Sequence, residues 1–169
     1  MIVRRFIQAG LLLILFPVVG WANDGLHIKD PWVRMAPPGS PMAGYFVLMN
    51  HSSSVVELVG AEASEFGDTM IHQTRMEGEL MKMEHVDAVE IKTGEQQAFK
   101  PGGYHLLFMK PKNSLQAGDN VTVTLKFSDG SSKDIEFSVK SIEESMEMDH
   151  TDHSGHGSSE DHSKHGTNE

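Results

Sequence analysis

Short apolar runs, each cut off by turn-forming residues, fill the chain from about residue 44 to residue 140, and they constrain the fold more than any other feature. "GYFVLMN" (44–50) ends at "HSSS", and "VVELVGAEA" (55–63) follows. "TMIHQTRM" and "ELMKMEHV" flank Glu77-Gly78, while "AVEI", "QAFK" and "YHLLFMK" are separated by "KTGEQ" and "PGG". "DNVTVTLKFSDG" and "KDIEFSVK" close the series as a hairpin around "SDGSS", with Asp129-Gly130 as its turn signal. Strands this short and this closely spaced predict an all-β antiparallel sandwich or barrel. No segment has a sustained helical period with caps.

The two ends differ from this middle. Arg4 and Arg5 precede the apolar run "LLLILFPVV" and then Gly20-Trp21-Ala22, the layout of a secretory signal peptide over residues 1–22. The run is shorter than the roughly 20 apolar residues a bilayer span needs, so no membrane insertion is expected once the leader is cleaved. The protein is expected in a bacterial periplasm. Residues 143–169 are rich in Ser, Gly, Asp, Glu and His and lack aromatics. Such a stretch buries too little apolar surface to offset the entropy of ordering. The expected organisation is a leader at 1–22, a globular domain at 23–142 and a disordered tail at 143–169.

Composition excludes several functions. The chain has no cysteine, hence no disulfide framework, thiol nucleophile, lipid-bearing thiol or blue-copper centre. Its net charge of −10 becomes −12 when Arg4 and Arg5 leave with the leader, which disfavours nucleic acid and anionic membranes. No Ser-His-Asp set, carboxylate pair or His-Glu-x-x-His motif stands out, so catalysis is not expected.

What remains is an unusual supply of methionine and histidine, 11 and 10 residues. Four methionines and two histidines fall between Met70 and Val86. If Glu77-Gly78 forms the centre of a two-residue turn, paired residue numbers add to 155 and His72 faces Met83. Directly opposed residues have Cβ atoms about 4.5–5.5 Å apart, close enough for an imidazole and a thioether to share an ion. Alternation puts Met70, Thr74, Met76, Met81 and His85 on that face too. The other face (Ile71, Gln73, Arg75, Leu80, Lys82, Glu84) is mostly polar. The methionine face is therefore also the expected core face, where Met is an ordinary filler. Pro101-Gly102 suits a type II turn over 100–103, which places His105 just inside the next strand. Met146, Met148, His150, His153, His156, His162 and His165 make the tail a second, looser metal-binding candidate. Without a pocket it would take Cu(II), Zn(II) or Ni(II).

The spacing His72, Met83, His105 resembles the copper-binding signature of the periplasmic copper chaperones called PCu(A)C. The resemblance continues through "PWVRMAPPGSPMAGYFVLMN", "RMEGELMKM", "KPGGYHLLFM" and "LQAGDNVTVTLKF" in the family's order, from about Pro31 to Phe127. It implies a cupredoxin-like, Greek-key β-sandwich that binds Cu(I) through His72, Met83 and His105. It also implies delivery toward the dinuclear copper centre of cytochrome c oxidase, with the copper-receiving subunit or its assembly factors as partner. One position departs: the family continues His-x-Met, and here residue 107 is Leu. The next sulfur on the strand, Met109, is a candidate, although four residues span about 13 Å. The site is then three-coordinate or borrows sulfur from Met81, Met76, Met42 or the tail. A copper buffer without a client, and a sandwich interaction module with a plain methionine core, are the competing readings.

Overall fold

A computed structural model describes residues 25–150, with side chains to residue 146. Ten strands follow one another: β1 (Leu26–Arg34), β2 (Met42–Asn50), β3 (Val56–Ala63), β4 (Phe66–Glu77), β5 (Leu80–His85), β6 (Val89–Ile91), β7 (Gln96–Phe99), β8 (Tyr104–Pro111), β9 (Asn120–Phe127) and β10 (Ser132–Lys140). They hydrogen-bond in the order β5-β4-β8-β7-β2-β1-β10-β9-β3-β6, and β8 also pairs with β2. This continuous sheet folds over on itself as an open β-sandwich, the all-β architecture expected. It is not wholly antiparallel: β1 pairs parallel with β10, and β7 meets β8 in parallel at Phe99 and Tyr104.

Period-2 alternation builds the core. Val121, Val123, Leu125 and Phe127 of β9 point inward, as do Phe46 and Leu48 of β2 and Leu106 and Phe108 of β8. Phe46 stacks on Phe99 at 4.3 Å and meets Phe137 edge-on at 5.6 Å. β1 reaches this core in two pieces. Between Lys29 and Trp32 its register against β2 slips, and Asp30 there takes a φ of 50°. The extra residue of a bulge reverses which parity faces inward, so Leu26 is buried before it and Val33 after it. Trp32 consequently lies on the outward face.

Three turns set strand pairings for which the sequence carries an expectation. Lys100–Gly103 is the expected type II turn: Gly103 N–H donates to Lys100 O at 3.0 Å, and Gly102 has φ 75°. Phe127–Gly130 closes the expected β9–β10 hairpin, with Gly130 N–H on Phe127 O at 3.0 Å. The β4–β5 turn departs from expectation. Its central residues are Gly78 and Glu79, between Glu77 and Leu80, and only Gly78 has a positive φ, 67°. Glycine at the first central position is the type II′ arrangement, so paired numbers add to 157 rather than 155.

The expected boundary of disorder also moves. Ile142–His150 is helix α1. Ser141 and Glu144 form a reciprocal cap: Glu144 N–H donates to Ser141 Oγ at 3.2 Å, and Ser141 N–H to Glu144 Oε2 at 2.9 Å. This Ser-x-x-Glu box satisfies two otherwise orphaned donors. It also holds the Glu144 carboxyl below its usual range. The leader at 1–22 and tail residues 151–169 lie outside the described residues.

Candidate metal centre

The order β5-β4-β8 lines up three histidines. His72 of β4 is registered opposite His105 of β8 on one side and His85 of β5 on the other. Ring centroids are 6.0 Å apart for His72–His105 and 5.8 Å for His72–His85. The two-residue change in pairing leaves every hairpin residue on its expected face but replaces Met83 by His85 as the residue opposite His72. Met83 instead faces Thr74, diagonal to His72. Diagonal neighbours lie about 7–8 Å apart, still within reach of long side chains.

This face is not the core face, contrary to expectation. Next to the His72–His105 pair, it is Ile71 of β4 and Leu106 of β8 that turn into the sandwich, both almost fully buried. Beyond them the hairpin projects past the sandwich, and Met76, Met81 and Met83 are 63%, 74% and 54% exposed. Met42, named as a possible extra donor, points the other way and packs into the core. Met109 pairs with Asp68, four residues along β4–β8 from the His72–His105 pair, and does not join it. Met70, by contrast, sits directly opposite Leu107 on the histidine face. A sulfur therefore stands one strand over from where the resemblance places one.

The two central imidazoles are set up differently. His105 is buried, and its Nδ1 lies 3.1 Å from Gly103 O. A carbonyl can only accept, so Nδ1 is the donor, and in the neutral ring Nε2 is the nitrogen with a lone pair to offer. His72 Nδ1 is buried with no hydrogen-bond partner. Such a group costs about 1–3 kcal/mol when left unmet, and it is the type of atom an ion would satisfy. Burial first, then the neighbouring His105 and His85, lower the pKa of His72, keeping the ring neutral. His85 is more exposed, with its Nε2 3.2 Å from Asp87 Oδ1.

Tyr45 covers His105, with rings 6.3 Å apart, and Trp32 packs against Tyr45 at 4.6 Å. The Arg34 guanidinium lies 5.6 Å and 5.3 Å from these two rings. Among the described residues no three His, Asp or Glu side chains converge to hold an ion. The donor set on this face is imidazole plus thioether. Of the tail candidates, Met146 is exposed on α1. Met148 and His150 lie on the same helix beyond the described side chains, and His153, His156, His162 and His165 lie outside the described residues. His85 and Met70 are the residues sequence reasoning did not select. A type II′ reading of Gly78 would have set His85 opposite His72.

The family model described as "Putative lipoprotein LpqE-like" matches residues 26–139. A putative lipoprotein of Leifsonia xyli subsp. xyli is 33% identical over 123 residues, covering 72% of this chain and 73% of its own. An uncharacterized protein of Rickettsia prowazekii is 32% identical, covering 70% and 68%. Among solved structures, the Cu(I)-bound protein DR1885 of Deinococcus radiodurans is 28% identical with a TM-score of 0.56, covering 67% of this chain and 76% of that one. The copper-bound PCuAC domain of PmoF2 superposes with a TM-score of 0.59 at 20% identity, covering 72% and 97%, which shows the shared fold.

Proposed function

The chain belongs to the LpqE-like family, and on that premise we propose that it is a copper chaperone of the bacterial envelope that carries Cu(I) on His72, His105 and Met83. The observation that carries this reading is the registered His72–His105 pair, with one buried ring nitrogen unpartnered, beside a hairpin of exposed methionines. The structural likeness to a Cu(I)-bound protein supports it. Cu(I) is a soft ion for which neutral imidazole and thioether are suitable donors. Met83 stands diagonal to His72 on the same face, and Met70, opposite Leu107, offers the sulfur that Leu107 lacks.

Function then follows from donor chemistry. Neutral ligands hold Cu(I) less firmly than thiolates, so the ion can be passed on. Thioethers also escape disulfide formation in an oxidising compartment, although they remain open to sulfoxide formation. The role is binding and hand-over, without a catalysed reaction. The destination is the dinuclear copper centre of cytochrome c oxidase, through its copper-receiving subunit or assembly factors. The leader at 1–22 delivers the protein to the periplasm, and the His-rich tail is a looser site that captures copper, Cu(II) included.

The test is Cu(I) titration against a competing chelator, in wild type and in His72→Ala, His105→Ala and Met83→Leu variants. Each variant is expected to weaken binding at least tenfold; unchanged affinity in all three overturns the assignment. Transfer to a soluble copper-receiving oxidase fragment separates a chaperone from a copper buffer, which binds but does not deliver.

A further inference from the structure

The start of β1 and the end of β2 bring together a second group of the same donor types. His27 is registered opposite Met49, and His51 N–H donates to Gly25 O at 2.7 Å, which carries the pairing one step past β2. Leu26 and Leu48 turn into the core, so His27, Met49 and His51 share the outward face. The two imidazoles lie 5.3 Å apart between centroids, inclined at 70°. Met49 is directly across from His27 and two residues before His51, which follows the last residue of β2. Opposed Cβ atoms stand about 4.5–5.5 Å apart, which places a thioether within reach of both rings.

The backbone beneath this group is held without help from any ligand. A Cβ on Gly25 would meet Ser52 N at 2.5 Å, so glycine permits the close approach that seats His51 beside β1. Asn50 is fully buried, and its Nδ2 donates to Ser54 O at 2.8 Å and to Ile91 O at 2.9 Å. Its Oδ1 accepts from Ser52 N at 3.0 Å and from Ser52 Oγ at 2.6 Å. Donors on a fixed frame need little ordering when they bind.

We propose that His27, Met49 and His51 form a second, solvent-facing site for a soft monovalent cation, Cu(I) or Ag(I). Two imidazoles alone would accept Zn(II) or Ni(II); the thioether turns the preference toward the soft d¹⁰ ions. Met49 is four residues, about 13 Å of strand, from Tyr45, which packs on His105. The two groups therefore open on one face of the sheet but cannot share an ion. Both rings are exposed, so this site exchanges faster and binds more weakly than the one at His72. The inference stands whether or not His72 and His105 bind copper.

The test is Ag(I) titration of the whole protein, followed by NMR of histidine ring nitrogens and methionine methyl groups. The ring signals of His27 and His51 and the methyl of Met49 are expected to move in one step. Met49→Leu, which keeps the packing volume, should weaken that step severalfold for both rings, and His27→Ala should abolish it for His51 and Met49. Rings and methyl that stay still throughout overturn the proposal. So does Zn(II) shifting both rings as readily as Ag(I) while the Met49 methyl does not respond. The His72 and His105 signals appear in the same spectra, so failure of either site is read separately.

Discussion

Met42 and Met81 are the same residue in opposite circumstances. Met42 is 3% exposed and packs opposite Phe108 in the core, whereas Met81 is 74% exposed beside the equally open Leu80. Packing accounts for the first. It does not account for the second, since each apolar Å² left in water forgoes about 25 cal/mol. Met76, Met81 and Met83 stand together on a hairpin that continues the strand carrying His72. Their place in the fold therefore separates a methionine that stabilises the sandwich from one whose side chain is left exposed.

Truncating both kinds of methionine should give the largest difference. Met42→Ala should lower the unfolding free energy by about 2–5 kcal/mol, as other large-to-small core changes do. Met81→Ala should stay within about 0.5 kcal/mol. Equal losses in chemical denaturation would erase the distinction.

Next in size is the turn that sets the hairpin's register. Gly78→Ala forces a side chain into the left-handed region and should cost about 1–2 kcal/mol, read as lost amide protection in β4 and β5. At the other end of the chain, Ser141→Ala removes the cap of α1 and should cost about 1 kcal/mol of helix stability, seen as reduced helical signal with the β-sandwich intact.

The smallest effect is a pH dependence confined to the histidine row. The pKa of His72 is lowered by burial first and then by His105 and His85. The unfolded chain therefore takes up this proton more readily than the folded one. The stability His72 contributes is complete above about pH 6.5, the ordinary imidazole value. It is lost as pH falls from there through the lowered folded value. His72→Gln should flatten the stability profile in that window, and an unchanged slope would mean the ring is not held neutral.

Much of this was legible in the chain. Alternation with turn punctuation announced an all-β sandwich or barrel, Pro101-Gly102 announced the type II turn, and Asp129-Gly130 marked its hairpin. Strand parity also placed His72, Met83 and His85 on one face. What parity cannot say is which face a second layer covers, and here Ile71 and Leu106 take the core while the histidines turn outward. The register failed for a local reason: glycine served at the first central position of a type II′ turn, not the second. A slip of two residues preserves faces and exchanges partners. Helix α1 went unread although Ser141-x-x-Glu144 is a capping box, because the acidic, His-rich composition around it resembles a disordered tail.

The central claim is that His72 and His105 grip one Cu(I) together with a methionine sulfur. An anomalous-difference map from crystals of the protein loaded anaerobically with one equivalent of Cu(I) tests it directly. Shared coordination gives one dominant peak between the two rings, within bonding reach of both imidazoles and of Met83. A peak elsewhere, with the His72 and His105 rings bonded to nothing, would contradict it.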